Sequence, residues 1–457
     1  MRHRRNGACP PPCSACTPWA RGSEEFAELR TRLSWILDLV GIDLPGFGTS
    51  TAATGTTVEE MVVLVERAIG RSGATDWALV GHSMGGKIAS VVASRTVDGT
   101  NGLFGLRAVV LMAASPLSPE PMDEERRQRM LDWAADGEIG PDEAEEFVDA
   151  NTASRLAPEP HTIAVQDVQR AVPQAWTDWL VRGSREDWST VFPPNPVPAL
   201  VLAGAADGDL GPDAQRSLNL PHWTTGEFDV VPGAAHLLPW EQPDEVADRI
   251  RDFWRRRVDH GPIVPADTAR VIASPRVSAR TRGILAVRAL PDDPDGEPRA
   301  LTRTQLDTLR ALARVVVPQP GDRPIDLALR VDDQLAEGLG DGWRPDGLPA
   351  DVDAYRAGLD ALQASAAQGD DHLAGVLESI TAGEYTPVSG GLDSAQLQAW
   401  AEDAAVDLAK QWMAHPATMA AIDYDGFANG GDGLRKQGFL LLGADEREAW
   451  EPTGAAR

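Results

Sequence analysis

Along the first half of the chain, short apolar runs alternate with stretches of helical periodicity. Phe26, Leu29 and Leu33 share one face of a helix expected from Glu24 to Leu33. Trp35 to Ile42 is an apolar run of strand length, ending in the turn cluster Asp43-Leu-Pro-Gly-Phe-Gly48. Thr57-Val-Glu-Glu60 reads as a capping box, with Met61, Leu64, Val65 and Ala68 following on one face. Trp77 to Val80 is a short buried strand. It runs into Gly81-His-Ser-Met-Gly-Gly86 and then a helix from Lys87 to Arg95. Further strands are expected at Ala108 to Ala113, Pro198 to Ala203 and Phe228 to Val231. Asp244 to Arg257 forms a closing helix with Val246, Ile250 and Phe253 on one side. Such alternation predicts βαβ units and a mostly parallel sheet. Residues 117–192 break the pattern, being polar, helical and rich in tryptophan (Trp133, Trp176, Trp179, Trp188). Their length suits a helical lid over the C-terminal edge of the sheet, where open α/β folds bind ligands.

After the closing helix the style changes. Residues 261–300 are rich in Pro, Asp and Arg and read as a linker. Thr302-Arg-Thr-Gln305 then caps a helix, Ala350 to Ala367 forms another, and Asp393-Ser-Ala-Gln396 caps a third. No strand pattern follows Gly321. The expected organisation is an unstructured tail over 1–22, an α/β domain over 23–260, the linker, and a separate all-α domain over 301–457.

Composition narrows the function classes. A chain of 457 residues suggests two or three domains, and 42% hydrophobic residues suffice for ordinary cores. The net charge of −27 repels nucleic acid and anionic lipid, so neither is expected as a partner. No apolar run approaches the about 18 residues of a membrane span. The basic residues Met1 to Arg5 are not followed by an apolar stretch, so no signal peptide is read and the cytoplasm is the expected compartment. Cys9, Cys13 and Cys16 are the only cysteines. Their C-x3-C-x2-C spacing is that of the iron–sulfur site of radical SAM enzymes, but no barrel pattern accompanies it. With only His3 nearby as a further ligand, they also make a poor zinc site. They are read as part of a reduced tail, and no metal or cofactor is expected.

The chemistry centres on Gly81-His82-Ser83-Met84-Gly85, a G-x-S-x-G between a strand and a helix. A serine on so tight a turn has strained backbone angles and a hydroxyl raised above the sheet. Glycines on either side let strand and helix approach without Cβ clashes. The helix directs its positive end at the site, and the Met84 N–H can stabilise an oxyanion. Serine needs a base to take its proton. His236, in Val231-Pro-Gly-Ala-Ala-His-Leu-Leu-Pro239, follows a strand and precedes the closing helix. His161 and His222 lack that context. The acid that orients the imidazole is expected after the preceding strand. There Asp207 has the favoured spacing and Asp209 is the alternative.

These residues resemble the α/β-hydrolase superfamily, in its lidded group. The matching pieces are Asp43–Gly48, Val80–Gly86, Val197–Gly204 with Asp207, and Gly233–His236. The resemblance implies an α/β-hydrolase fold and hydrolysis of an ester, lactone or related acyl bond in a small-molecule substrate. It also includes carbon–carbon bond hydrolases and cofactor-free haloperoxidases. Ser83 argues against the haloalkane dehalogenases and epoxide hydrolases, which have aspartate at the elbow. The family's His-Gly segment, whose loop gives a second oxyanion donor, has no counterpart. The first strands are therefore expected to be missing or replaced by the tail, as a misassigned start would produce, and activity to be impaired. In the second half, Leu301-Thr-Arg-Thr-Gln-Leu-Asp-Thr-Leu, Asp341-Gly-Trp343 and His415-Pro-Ala-Thr-Met-Ala-Ala-Ile-Asp-Tyr-Asp-Gly-Phe427 resemble the gluconate 2-dehydrogenase subunit 3 family. That resemblance implies a helical accessory domain with a flavin dehydrogenase subunit as its partner. The competing reading is then a non-catalytic or weakly active hydrolase remnant carrying such a domain.

Overall fold

In the computed structural model, residues 12–16, 23–339, 347–387 and 391–433 are described. They fall into two compact units. The first comprises Met1–Val258, Val264–Leu290 and Gly426–Arg457; the second comprises Asp259–Ile263 and Pro291–Asp425.

The first unit is built on six parallel strands: β1 (Pro12–Cys16), β2 (Asp38–Ile42), β3 (Trp77–His82), β4 (Leu106–Met112), β5 (Ala199–Gly204) and β6 (Gly226–Val231). Their spatial order is β2-β1-β3-β4-β5-β6. Both faces are covered, as a parallel sheet requires. Side chains alternate across a strand, so Leu79, Val109, Leu111 and Val201 enter one core. Helices α2 (Val58–Ser72) and α3 (Met84–Val97) pack there. Ala78, Val80, Val110, Leu200 and Leu202 enter the opposite core, closed by α1 (Ala27–Leu33) and Phe26. The expected face Phe26, Leu29 and Leu33 is fully buried.

The tail expected over residues 1–22 contains strand β1, which lies inside the sheet. Cys13 pairs with Leu39 on one side and Ala78 on the other. The expected loss of the first strands is corrected to that extent. Main-chain pairing on both edges forms the strand although its sequence has little strand propensity, and Pro12 is tolerated as its first residue. Cys9 and His3 lie outside the described residues. Strand β2 is shorter than the Trp35 to Ile42 run, because Ile36 and Leu37 still bond back to Leu33 and Trp35 is exposed.

Between β4 and β5 the chain inserts α4 (Glu124–Trp133), α5 (Pro141–Ala150), α6 (Pro158–Gln169) and α7 (Pro173–Val181). Trp176 and Trp179 are buried in the core shared with α2 and α3, and Trp176 donates to the Met130 carbonyl at 2.7 Å. These two tryptophans pack the insertion down and do not line the cavity at Ser83. Two short helices, α8 (Pro212–Ala214) and α9 (Leu238–Glu241), precede α10 (Pro243–Phe253), which buries Val246, Ile250 and Phe253.

The 261–300 stretch, expected as a linker, instead holds α11 (Ala266–Ile272) and α12 (Ala279–Arg288). Arg282 fixes them by donating to the carbonyls of Gly99, Ile272, Ser274 and Val277. Residues 426–433 group with the first unit, so the expected 301–457 block is shorter. Asp432 accepts from the Ala279 N–H at 2.9 Å, and the Gly430 N–H donates to Arg276.

The second unit contains α13 (Arg303–Val316), α14 (Leu327–Glu337), α15 (Asp351–Ala366), α16 (Asp370–Thr381), α17 (Ser394–Ala414) and α18 (Pro416–Ala421). The capping boxes expected at Thr302 and Asp393 are present. Trp400 and Tyr355 meet edge to face in its core. A cavity of about 530 Å³ in this unit is ringed by Arg310, Arg314 and Arg323. Each of these is paired with an aspartate: Asp326, Asp370 and Asp259 respectively. Trp343 lies outside the described residues. Among the described residues no helix is long and apolar enough to cross a membrane.

Candidate active site

The turn between β3 and α3 holds Ser83 at φ 50° and ψ −125°, a conformation that side chains other than glycine's rarely adopt. The neighbours explain how the turn survives. A Cβ on Gly81 would sit 2.6 Å from the Gly85 carbonyl oxygen, and one on Gly86 would sit 2.2 Å from the Ala114 Cβ. The chain is thus forced close to itself at two points, and glycine occupies both. The Ser83 N–H donates to the Met112 carbonyl at 3.0 Å, and the Ser115 N–H donates to the Ser83 carbonyl at 2.9 Å. The strain is held by the end of the adjacent strand.

Three side chains named from the sequence come together here. Ser83 Oγ lies 2.9 Å from His236 Nε2, and His236 Nδ1 lies 2.9 Å from Asp207 Oδ2. Asp207 follows β5 and His236 follows β6. A Cβ on Gly204 would fall 1.9 Å from the Ala235 oxygen, so glycine at the end of β5 lets the loop bearing His236 come in. The His236 N–H also donates to the Asn151 carbonyl at 3.1 Å. Asp209 stands elsewhere: its Oδ2 accepts from Arg126 Nη1 at 3.0 Å, and Arg126 Nη2 donates to Asn151 Oδ1 at 3.1 Å. His161 lies in the insertion near Asp149, and His222 lies beside Ser94. Met84 opens α3, so its N–H is among the first-turn donors without an intrahelical acceptor. The loop after β1, residues 17–22, lies outside the described residues.

Burial sets the charge states. It is the largest influence on His236 and pushes the imidazole below its ordinary value, with Asp207 opposing. The ring is therefore neutral at neutral pH and able to accept a proton. Burial also pushes the Asp207 carboxyl upward, but the charge and hydrogen bond of His236 more than offset it, leaving Asp207 below its ordinary value. Glu120 is buried beside Ser115, and desolvation raises its pKa. Glu120, Met122, Arg126, Phe147 and Leu210 line a cavity of about 30 Å³ that reaches Ser83, Asp207 and His236.

Sequence reasoning missed part of this assembly. His82, fully buried, places Nδ1 3.0 Å from Glu25 Oε2 and Nε2 2.6 Å from the His236 carbonyl oxygen. Its one available signal was its place inside the Gly81–Gly85 motif. Nothing in the spacing pointed to Glu25, Glu120, Arg126 or Asn151, which the tertiary fold brings in from distant segments.

A model of the alpha/beta hydrolase family matches residues 14–249. No curated protein matches the chain. Among solved structures, an esterase from Exiguobacterium antarcticum is 19% identical over 54% of this chain and 92% of its own, with a TM-score of 0.48. A thermophilic esterase from Thermogutta terrifontis is 24% identical over 54% and 89%, with a TM-score of 0.43. The enol-lactonase from Burkholderia xenovorans LB400 is 18% identical over 55% and 94%, with a TM-score of 0.46.

Proposed function

The chain belongs to the alpha/beta hydrolase family, and from that premise we propose that it is a serine hydrolase cleaving an ester, lactone or related acyl bond. One observation carries the reading: the unbroken series Ser83 Oγ, His236, Asp207, each step 2.9 Å. As Ser83 Oγ attacks the acyl carbon, His236 Nε2 takes its proton. Asp207 holds the ring with Nδ1–H toward itself and stabilises the imidazolium that forms. The Met84 N–H, at the positive end of α3, stabilises the tetrahedral oxyanion. His236 then gives its proton to the leaving oxygen, and the acyl group remains on Ser83. Water attacks the acyl-enzyme with His236 again as base, restoring the serine. The insertion over 117–192, with α4 to α7 in it, acts as the lid. The cavity reaching Ser83 is small, about 30 Å³, and is lined by Met122, Phe147 and Leu210, so we assign a short acyl group.

The test is labelling by a fluorophosphonate probe. Labelling of the wild type that Ser83→Ala abolishes supports the mechanism; an unlabelled wild-type protein refutes it.

For residues 291–425 we propose an accessory role, on the resemblance of its motifs to gluconate 2-dehydrogenase subunit 3. A hydrophobic core of its own supports that reading. The partner would be a flavin-dependent dehydrogenase. Co-purification of a yellow flavoprotein with the full chain, lost when α18 is replaced, is the expected result.

A further inference from the structure

His82 and Glu25 sit behind the catalytic ring, and the mechanism above does not use them. His82 is fully buried and Glu25 is 1% exposed. Each nitrogen of the His82 ring faces an oxygen: Nε2 is 2.6 Å from the main-chain carbonyl of His236, and Nδ1 is 3.0 Å from Glu25 Oε2. A peptide carbonyl has no proton to give, so Nε2 must carry one. Nδ1 facing a bare carboxylate with no proton between them would set two lone pairs against each other in a buried site, which is strongly unfavourable. A proton therefore lies between Nδ1 and Glu25, on one or the other. In either location the pair holds one proton more than a neutral imidazole plus a carboxylate, and its net charge is zero.

The consequence falls on the general base. With Nδ1 engaged by Glu25, the ring cannot change tautomer, and Nε2–H is committed to the carbonyl of the residue that must meet Ser83. The two imidazoles stand 5.1 Å apart, centroid to centroid. We propose that Glu25 and His82 are positioning residues: their shared proton ties the His236 main chain in place and thereby sets the distance from His236 Nε2 to Ser83 Oγ. This rests on the reading of Ser83 and His236 as nucleophile and base. The groups facing His236 are Asp207 after β5, Arg126 from α4 and His82 from the elbow. Among the described residues, those facing His82 are Glu25, from the turn before α1, Asp207 and His236 itself.

The chemistry separates two substitutions at one position. Glu25→Gln can donate an amide N–H to Nδ1, which leaves Nε2–H in place. Glu25→Leu is of similar size but offers Nδ1 no hydrogen bond, so the ring loses the anchor that fixes the direction of Nε2–H toward the His236 carbonyl. The experiment measures kcat, KM and melting temperature for p-nitrophenyl acetate hydrolysis by the full chain. Glu25→Gln should stay within about threefold of wild type. Glu25→Leu and His82→Phe should lose about 10²-fold in kcat with KM little changed, the size expected for a reacting group displaced by about 1 Å. A purely structural role would lower the melting temperature of all three alike and leave kcat of the folded protein intact. That result overturns the proposal. Nitrogen-15 spectra of the wild-type histidines give a reading independent of turnover: His82 Nε2 should carry a proton, and a bare Nε2 overturns the proposal. A wild type that the fluorophosphonate does not label removes the underlying mechanism and the proposal with it. A labelled wild type whose Glu25→Leu variant keeps its kcat removes the proposal alone.

Discussion

Asp207→Asn removes one negative charge beside the proposed base, His236, and changes almost nothing in shape. The carboxylate oxygen lies 2.9 Å from His236 Nδ1, and the imidazolium charge is spread over its ring. The two charges are thus roughly 4 Å apart, which at an effective dielectric of about 20 is worth about 4 kcal/mol. At 1.36 kcal/mol per factor of ten, that is about 10³ in rate. A second effect adds to it. The new amide can turn its NH2 toward Nδ1, which places the ring proton on Nε2 and blocks acceptance from Ser83. For a triad of this kind the exchange costs about 10⁴ in kcat. We therefore expect a loss of about 10³ to 10⁴ in kcat for p-nitrophenyl acetate, with Ser83 labelling slowed in parallel. Asp209→Asn is the control. Its carboxylate serves a partly exposed pair with Arg126, so a change within about fivefold is expected. The reasoning is refuted if Asp207→Asn stays within about tenfold of wild type, or if Asp209→Asn loses more than it does.

Met122→Ala should open the cavity at Ser83, which that side chain lines. Two further methylenes then find room, raising the butyrate-to-acetate ratio of kcat/KM about tenfold; an unchanged ratio in chain-length assays would count against the small-acyl reading. Lys87 lies fully buried in α3, with Nζ donating to the carbonyls of Gly183 and Glu186, and burial pushes its pKa down to about 8. An unfolded lysine binds its proton up to about 10.4. Between these values the unfolded state holds more protons, so stability should rise with pH. Relative to Lys87→Met, wild type should gain on the order of 3 kcal/mol from below pH 8 to above pH 10 in urea unfolding, and a flat difference contradicts the burial argument. In the second unit, Asp332 accepts from the N–H groups of Arg299, Ala300 and Leu301. Asp332→Asn turns a donor toward those donors, and thermal unfolding followed by circular dichroism should show a loss of about 1–3 kcal/mol.

The sequence alone determined what depends on local periodicity and local turn chemistry. Strand β3, the Thr57, Thr302 and Asp393 caps, the buried face of α1 and the glycine-flanked serine could all be read because each is specified by residues within a few positions of one another. The motif spacing also picked Ser83 and His236, and left Asp207 with Asp209 as its alternative. Tertiary structure decided what is specified across distance. Strand β1 carries almost no strand signal and exists because β2 and β3 offer main-chain partners on both edges. The helices in 261–300 were hidden by the Pro and Asp residues that surround them, and they are held by one arginine reaching four carbonyls. Asp209 fell to Arg126, a residue 83 positions earlier in the chain. Glu25 meets His82 across 57 positions. A hydrogen bond acts over about 3 Å whatever the sequence separation, so no pattern along the chain records which distant pairs the fold will bring within that reach.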